Sequence, residues 1–185
     1  MRALALISSK DMKTLCFTGH RPQKLPFGFN ENDPRCIRLK AVLTEQIEKA
    51  INERGVQHFI CGMALGVDMI SAELVLNLKE KYPFITLECA IPCRYQSRKW
   101  PEDQRKRYYQ IVRKSDLITI IRDTYTPECM FERNKYMVDK SDIIIGVCAG
   151  SSGRNSGTSQ TLYLAKQKKI VIILVNPIDL LVREF

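Results

Sequence analysis

Segments able to hold an anion occur at three places in this chain, each after a short apolar run and before a helix-forming stretch. The first is Thr18-Gly19-His20-Arg21-Pro22, where Gly19 permits a sharp turn and His20 and Arg21 carry donors that could meet a phosphate. The second is Gly62-Met63-Ala64-Leu65-Gly66-Val67-Asp68. Its glycines Gly62 and Gly66 let the backbone at Met63 approach a ligand closely, and Asp68 opens the helix that follows. The third spans residues 150–158 and reads Gly-Ser-Ser-Gly-Arg-Asn-Ser-Gly-Thr. Gly153, Ser156, Gly157 and Thr158 suit a phosphate cradle at a helix N-terminus, where unpaired amides and the helix dipole favour negative charge. Each segment also has a plainer reading: a structural histidine, a dipole-complementing aspartate, a small-residue connector. None matches the G-x-G-x-x-G or Walker A spacing, which argues against an ordinary dinucleotide dehydrogenase or P-loop ATPase.

Such loops act together only if a sheet brings them to one edge. Apolar, β-branched runs at 14–18, 57–61, 85–91, 117–121, 142–148 and 170–175 alternate with amphipathic stretches, the pattern of βαβ units. The expected fold is α/β, a Rossmann-like three-layer sandwich with a mostly parallel sheet of about six strands flanked by helices. Residues 143–145 and 170–175 are continuously apolar, which predicts central strands covered on both faces. Helices are predicted from Asp33-Pro34 to Gly55, from Val67 to about Lys81, from Pro101 onward, over about 127–140, and from 156–158 to about Lys168. Lys-Ser-Asp occurs at 114–116 and again at 140–142, each time just before a strand, which marks equivalent corners. Residues 1–12 read as an N-terminal tail and 13–185 as one domain. In open parallel sheets, ligands sit beyond the carboxyl ends of the strands, where all three loops would lie.

Lysine and arginine outnumber aspartate and glutamate 29 to 20, a net charge of +9 that favours anionic partners. Many of these cations fall in one stretch from Arg94 through Arg98, Lys99, Arg105, Lys106, Arg107 and Arg113 to Lys114. It reads as a solvated helix face from which one or two arginines, Arg94 first, reach a ligand. The seven cysteines are odd in number and several lie inside strand-like runs, as expected of reduced thiols in a cytoplasmic protein. The two histidines, His20 and His58, are far apart, and the closest cysteine pair is Cys89 and Cys93, so no metal site is expected. No apolar run approaches the roughly 20 residues of a membrane span, and the apolar start at residues 3–7 is too short for a signal peptide.

At the three loops the chain resembles the SLOG superfamily, which joins DprA-like DNA-processing proteins, LOG-type nucleotide phosphoribohydrolases and YpsA-like proteins, and it is most similar to the YpsA-like branch. The segments that carry the resemblance are Thr18 to Pro22, Cys61 to Asp68, and Met130 to Thr158. The last looks like the LOG pattern of a methionine and an arginine on a helix, then a strand, then a glycine-rich loop ending in threonine. Met130 and Arg133 match the helix, and Gly157-Thr158 the loop's end. The resemblance implies that Arg133, with Asn134 beside it, faces a phosphate or ribose and that Thr158 holds phosphate. It departs where LOG enzymes carry a catalytic glutamate, three residues beyond the loop threonine; here that residue is Thr161. Glycosidic hydrolysis needs a group to activate water or stabilise an oxocarbenium-like state. Asp68, Glu128 or Glu132 would have to substitute.

Three functions follow. The first is a nucleotide-binding or sensor domain holding a nucleotide or ADP-ribose-like ligand without turning it over, compatible with a homodimer. The second is a nucleotide hydrolase in which Arg133 stabilises charge and Asp68 acts as acid or base. The third is single-stranded DNA binding through the stretch Arg94 to Trp100, which mixes cations with aromatics. The same stretch would serve as a lid over a phosphate pocket.

Overall fold

The computed structural model describes residues 12–149 and 156–185. Over these residues a seven-stranded sheet has the order β4-β3-β2-β1-β5-β6-β7. The strands are β1 (Lys13–Gly19), β2 (Val56–Cys61), β3 (Thr86–Cys93), β4 (Leu117–Arg122), β5 (Ile143–Val147), β6 (Val171–Val175) and β7 (Val182–Glu184). All pairings are parallel except that of β6 with β7. The helices are α1 (Pro34–Arg54), α2 (Val67–Leu78), α3 (Glu102–Lys114), α4 (Cys129–Asp139) and α5 (Gly157–Lys168). One face of the sheet packs side chains of α1, α2 and α3 in the larger core, including Leu39, Leu43, Met69 and Tyr108. The other face packs Met137 and Val138 of α4 and Ala165 of α5 against Cys16, Ile60 and Ile144. This is the three-layer α/β sandwich expected.

Local chemistry accounts for the element ends. Asp33 caps α1 by accepting from the Arg35 amide at 2.8 Å, Pro34 occupies its first turn, and Gly55 ends it in the left-handed conformation at φ 72°. The repeated Lys-Ser-Asp corners are the same device used twice. Asp116 takes the Leu87 amide on its carboxylate at 2.8 Å and returns its own N–H to the Leu87 carbonyl at 2.9 Å. Asp142 does the same to Thr14, at 2.9 Å each way. Each aspartate thereby sets the register at the start of its strand.

Two details depart from the expectation. The continuously apolar β5 is buried at every residue, but β6 lies one place from the sheet edge and leaves Val171 and Leu174 half-buried. Its apolar run reflects the cover of α5 and β7, while β1 occupies the centre. The edge strand β7 was not anticipated, because three exposed residues carry no alternation to read.

The strand order reverses between β1 and β5: connections from β1 proceed outward through β2, β3 and β4, and those from β5 proceed the other way. The loops after β1 and β5 therefore part, leaving a crevice at their carboxyl ends. Close packing keeps that crevice in shape. A β-carbon on Gly19 would meet the Val67 Cβ at 2.5 Å, and one on Gly66, where φ is +94°, would meet the His20 carbonyl oxygen at 2.6 Å. Gly66→Ala should therefore destabilise the fold by about 3 kcal/mol, combining backbone strain with a clash. Gly28→Ala, at φ +58° in open space, should cost only about 1 kcal/mol. Urea midpoints of the two variants check this, and equal losses would contradict the packing account.

Candidate functional site

A cavity of about 300 Å³ opens at the strand-order reversal. Its walls come from four places: the end of β1 and the turn after it (Phe17 to Arg21, Gln23, Lys24), the β2–α2 turn (Ala64, Asp68), α4 (Met130, Arg133, Asn134) and the start of α5 (Ser156, Gly157, Thr158). The first two loops singled out in the sequence and the end of the third, residues 156–158, thus meet at one point, together with α4.

Arg133 forms the floor. It is only 6% exposed, and its Nη1 donates to the Gly62 carbonyl and lies 3.4 Å from Asp68 Oδ2. A side chain at position 62 would overlap the guanidinium, so glycine there is what lets the arginine reach the turn. The Arg133 Nε is buried with no hydrogen-bond partner among the described residues. A buried charged donor without an acceptor is costly.

Asp68, 7% exposed, accepts from the Ala64 amide at 3.2 Å through the same oxygen. Burial pushes its carboxyl above the usual aspartate range, and the Arg133 charge opposes the rise without cancelling it. Among the lining residues it is the single carboxylate. The proposed substitutes do not join it. Glu132 pairs with Arg122 at 2.7 Å on the exposed side of α4, and Glu128 is exposed at the helix start. Thr161, at the place of the LOG glutamate, is 1% exposed and donates its hydroxyl to the Gly157 carbonyl at 2.7 Å.

His20 lines the cavity and is 6% exposed. Burial, with the Lys24 charge nearby, lowers its pKa. Its Nε2 accepts from the Ala149 amide at 3.4 Å, which leaves the proton on Nδ1. His20 also ties the turn down through its backbone, with its N–H on Val147 and its carbonyl taking the Val67 amide. Cationic charge at the mouth comes from Arg21 and from Lys24, both exposed. Thr158 lines the cavity while its hydroxyl donates to the Gly19 carbonyl at 2.9 Å, binding the start of α5 to the end of β1. Ser156 caps α5 by accepting from the Ser159 amide at 3.1 Å.

Gly62, Met63 and Gly66 act behind the wall. Met63 sits in the left-handed region at φ 57°, and its carbonyl accepts from Gln96 at 2.9 Å. Arg94 is not among the lining residues; its Nε pairs with Asp123 at 2.8 Å. Much of the basic stretch is likewise engaged, with Arg107 held by Glu73 at 2.6 Å and by Glu31, and Lys106 by Glu102 at 2.7 Å. Trp100 packs edge-on against Tyr108 with ring centroids 5.5 Å apart. Gly153 lies outside the described residues. Gln23 and Lys24 were missed in the sequence, although two polar residues directly after a Gly-His-Arg-Pro turn were the available signal. The 3-10 turn Pro22–Lys24 folds them back over the cavity.

A profile of the YspA SLOG family matches residues 15–180. The chain belongs to that family. Among its relatives are a UPF0398 protein of Halalkalibacterium halodurans, 31% identical over 91% of this chain and 90% of that protein, and the SPbeta prophage-derived protein YoqJ of Bacillus subtilis, 32% identical over 73% and 84%. The fold is similar to that of DNA processing protein A from Helicobacter pylori, with a TM-score of 0.61 at 20% identity; the match covers 90% of this chain and 66% of that one. The SLOG fold thus carries the cavity, and no helix among the described residues is long and apolar enough to cross a membrane.

Because the folded state holds Asp68 with a raised pKa, it binds a proton that the unfolded chain has already released. Stability should therefore fall as pH rises from the unfolded aspartate value of about 3.9 through the folded value. Asp68→Asn should lack this component, so its stability relative to the parent protein should grow with pH across that window. Urea denaturation at several pH values checks it, and parallel profiles would show that Asp68 is not raised.

Proposed function

We propose that the cavity binds the phosphate and ribose of a nucleotide or nucleotide derivative of the ADP-ribose kind, and that the chain acts as a binding or regulatory protein. The observation that carries this reading is the buried Arg133 with its unpartnered Nε, set on the cavity floor beneath the N-terminus of α5. A fixed cation, the α5 amides at Gly157 and Thr158, and the exposed charges of Arg21 and Lys24 would together offer an anion what water otherwise supplies. Gly19, His20, Ser156 and Asn134 would complete the walls, with Gly62, Met63 and Gly66 keeping the β2–α2 turn in place.

Turnover of the LOG kind has weaker support. Thr161 offers no carboxylate, and its hydroxyl is committed to the helix backbone. Asp68 remains the one lining acid, in a salt bridge with Arg133 at 3.4 Å. A hydrolase would have to work with Asp68 as general acid and Arg133 as charge stabiliser.

Calorimetry with AMP, ADP-ribose and ribose 5-phosphate should show saturable binding, and Arg133→Met should weaken it by about tenfold or more, the worth of a charge-assisted hydrogen bond. Absence of binding by every phosphate-bearing ligand would sink the reading. Release of base or phosphate, abolished by Asp68→Asn, would replace it with the hydrolase. Ligand phosphate near Asp68 pushes its pKa higher still, so binding takes up a proton. The affinity for ADP-ribose should fall as pH rises through the bound-state value and stay level in Asp68→Asn.

A single-stranded nucleic acid is a second reading, favoured by the exposed Tyr95 among Arg94, Arg98 and Lys99. The Helicobacter pylori protein is described as binding single-stranded DNA. Oligonucleotide affinity falling steeply with salt would support this reading, and none at low salt would remove it.

A further inference from the structure

A second cavity, of about 400 Å³, lies beside the first, and Met130 lines both. Its volume falls in the range of about 300–1,000 Å³ typical of small-molecule clefts. Its character is different: the walls are mainly apolar and aromatic, with Tyr95 from the turn after β3 and Tyr125 from the turn after β4, which are 67% and 68% exposed. Arg98 and Lys99 stand at its rim. Two tyrosines exposed to this degree on adjoining turns present stacking faces that the fold itself does not use.

The polar atoms here are incomplete in a specific way. Gln96 lines this cavity and donates its amide to the Met63 carbonyl at 2.9 Å, which orients the side chain and leaves Oε1 as an acceptor. That oxygen is buried and has no donor among the described residues. The hydroxyl of Thr126, next to Tyr125, is likewise buried and unpartnered. Of the four buried side-chain atoms that lack a partner among the described residues, on Ser71, Gln96, Thr126 and Arg133, those of Gln96 and Arg133 belong to residues lining these two adjoining cavities, and Thr126 directly follows the lining Tyr125. Native folds satisfy nearly all such atoms. Atoms of this kind beside two cavities are ones that a bound ligand would pair.

Resting on the reading of the first cavity, we propose that the second is a nucleobase subsite for a base carrying an exocyclic amine, with Tyr95 and Tyr125 stacking on the ring, Gln96 Oε1 accepting from the amine, and Met130 lying between base and ribose. An oxygen acceptor locked by its own amide cannot turn to donate, so it favours an amine over a carbonyl edge. The phosphate-ribose-base unit could come from a free nucleotide or from the end of a single strand.

The test is isothermal titration of the full chain with AMP, purine riboside 5′-phosphate (the same nucleotide without the amine), ribose 5-phosphate, adenosine and a short oligo-dA. AMP should bind about tenfold more tightly than the amine-free nucleotide, and Tyr95→Ala and Tyr125→Ala should each weaken AMP by about tenfold, the usual worth of one stacking contact. Circular dichroism establishes that the variants are folded, and Tyr95→Phe and Tyr125→Phe, which keep the ring, should retain AMP affinity. Tighter binding of oligo-dA than of AMP, lost in the same variants, would assign the base to a strand; the reverse order would assign it to a free nucleotide. If AMP binds with the affinity of ribose 5-phosphate and the alanine variants do not alter it, the subsite is wrong while the phosphate cavity stands. If adenosine binds in a tyrosine-dependent way but no phosphate ligand gains on it, the subsite stands and the phosphate reading falls. If nothing binds, both fall.

Discussion

The structure of the site depends on one buried guanidinium. Arg133 rises from a helix on one face of the sheet and ends against the β2–α2 turn that belongs to the other face, where Gly62 and Asp68 receive it. It therefore joins the two layers at the carboxyl edge, the place where the reversal of strand order has already opened a crevice. Removing a charge from water costs several kcal/mol unless its donors are met. Here Nη1 is met and Nε is not, so the fold has placed the cation without fully satisfying it.

The other features of the cavity follow from accommodating that group. Position 62 must lack a side chain to leave room for the guanidinium, and Met63 beyond it takes a left-handed backbone. Asp68 provides a counter-charge at 3.4 Å, and its own burial holds its carboxyl above the ordinary range. Thr161, where LOG enzymes carry a glutamate, only closes a bond within α5.

Much of this was legible in the sequence because it is local. The caps at Asp33 and Ser156 act through neighbours within a few residues, the apolar runs are themselves short, and the helices and six of the seven strands lie where those signals put them. The three glycine-rich loops could be named for the same reason. Arg133 was reached through a family resemblance, since an arginine in the middle of an amphipathic helix looks like any solvated cation. Arg94 shows the opposite case: its place after β3 suited a ligand, but Asp123 across the next turn captures it.

By itself, then, the chain's sequence determined the class of fold, the positions of its elements and which loops would stand at the carboxyl edge, because periodicity, capping and glycine act over short distances. Only the tertiary structure decided that Arg133 is buried against Gly62, that His20 takes the Ala149 amide on its ring, that Gln23 and Lys24 turn back over the cavity, and that Tyr95 and Tyr125 flank a second one. These depend on desolvation and on contacts between residues tens of positions apart, and neither quantity is written in local spacing.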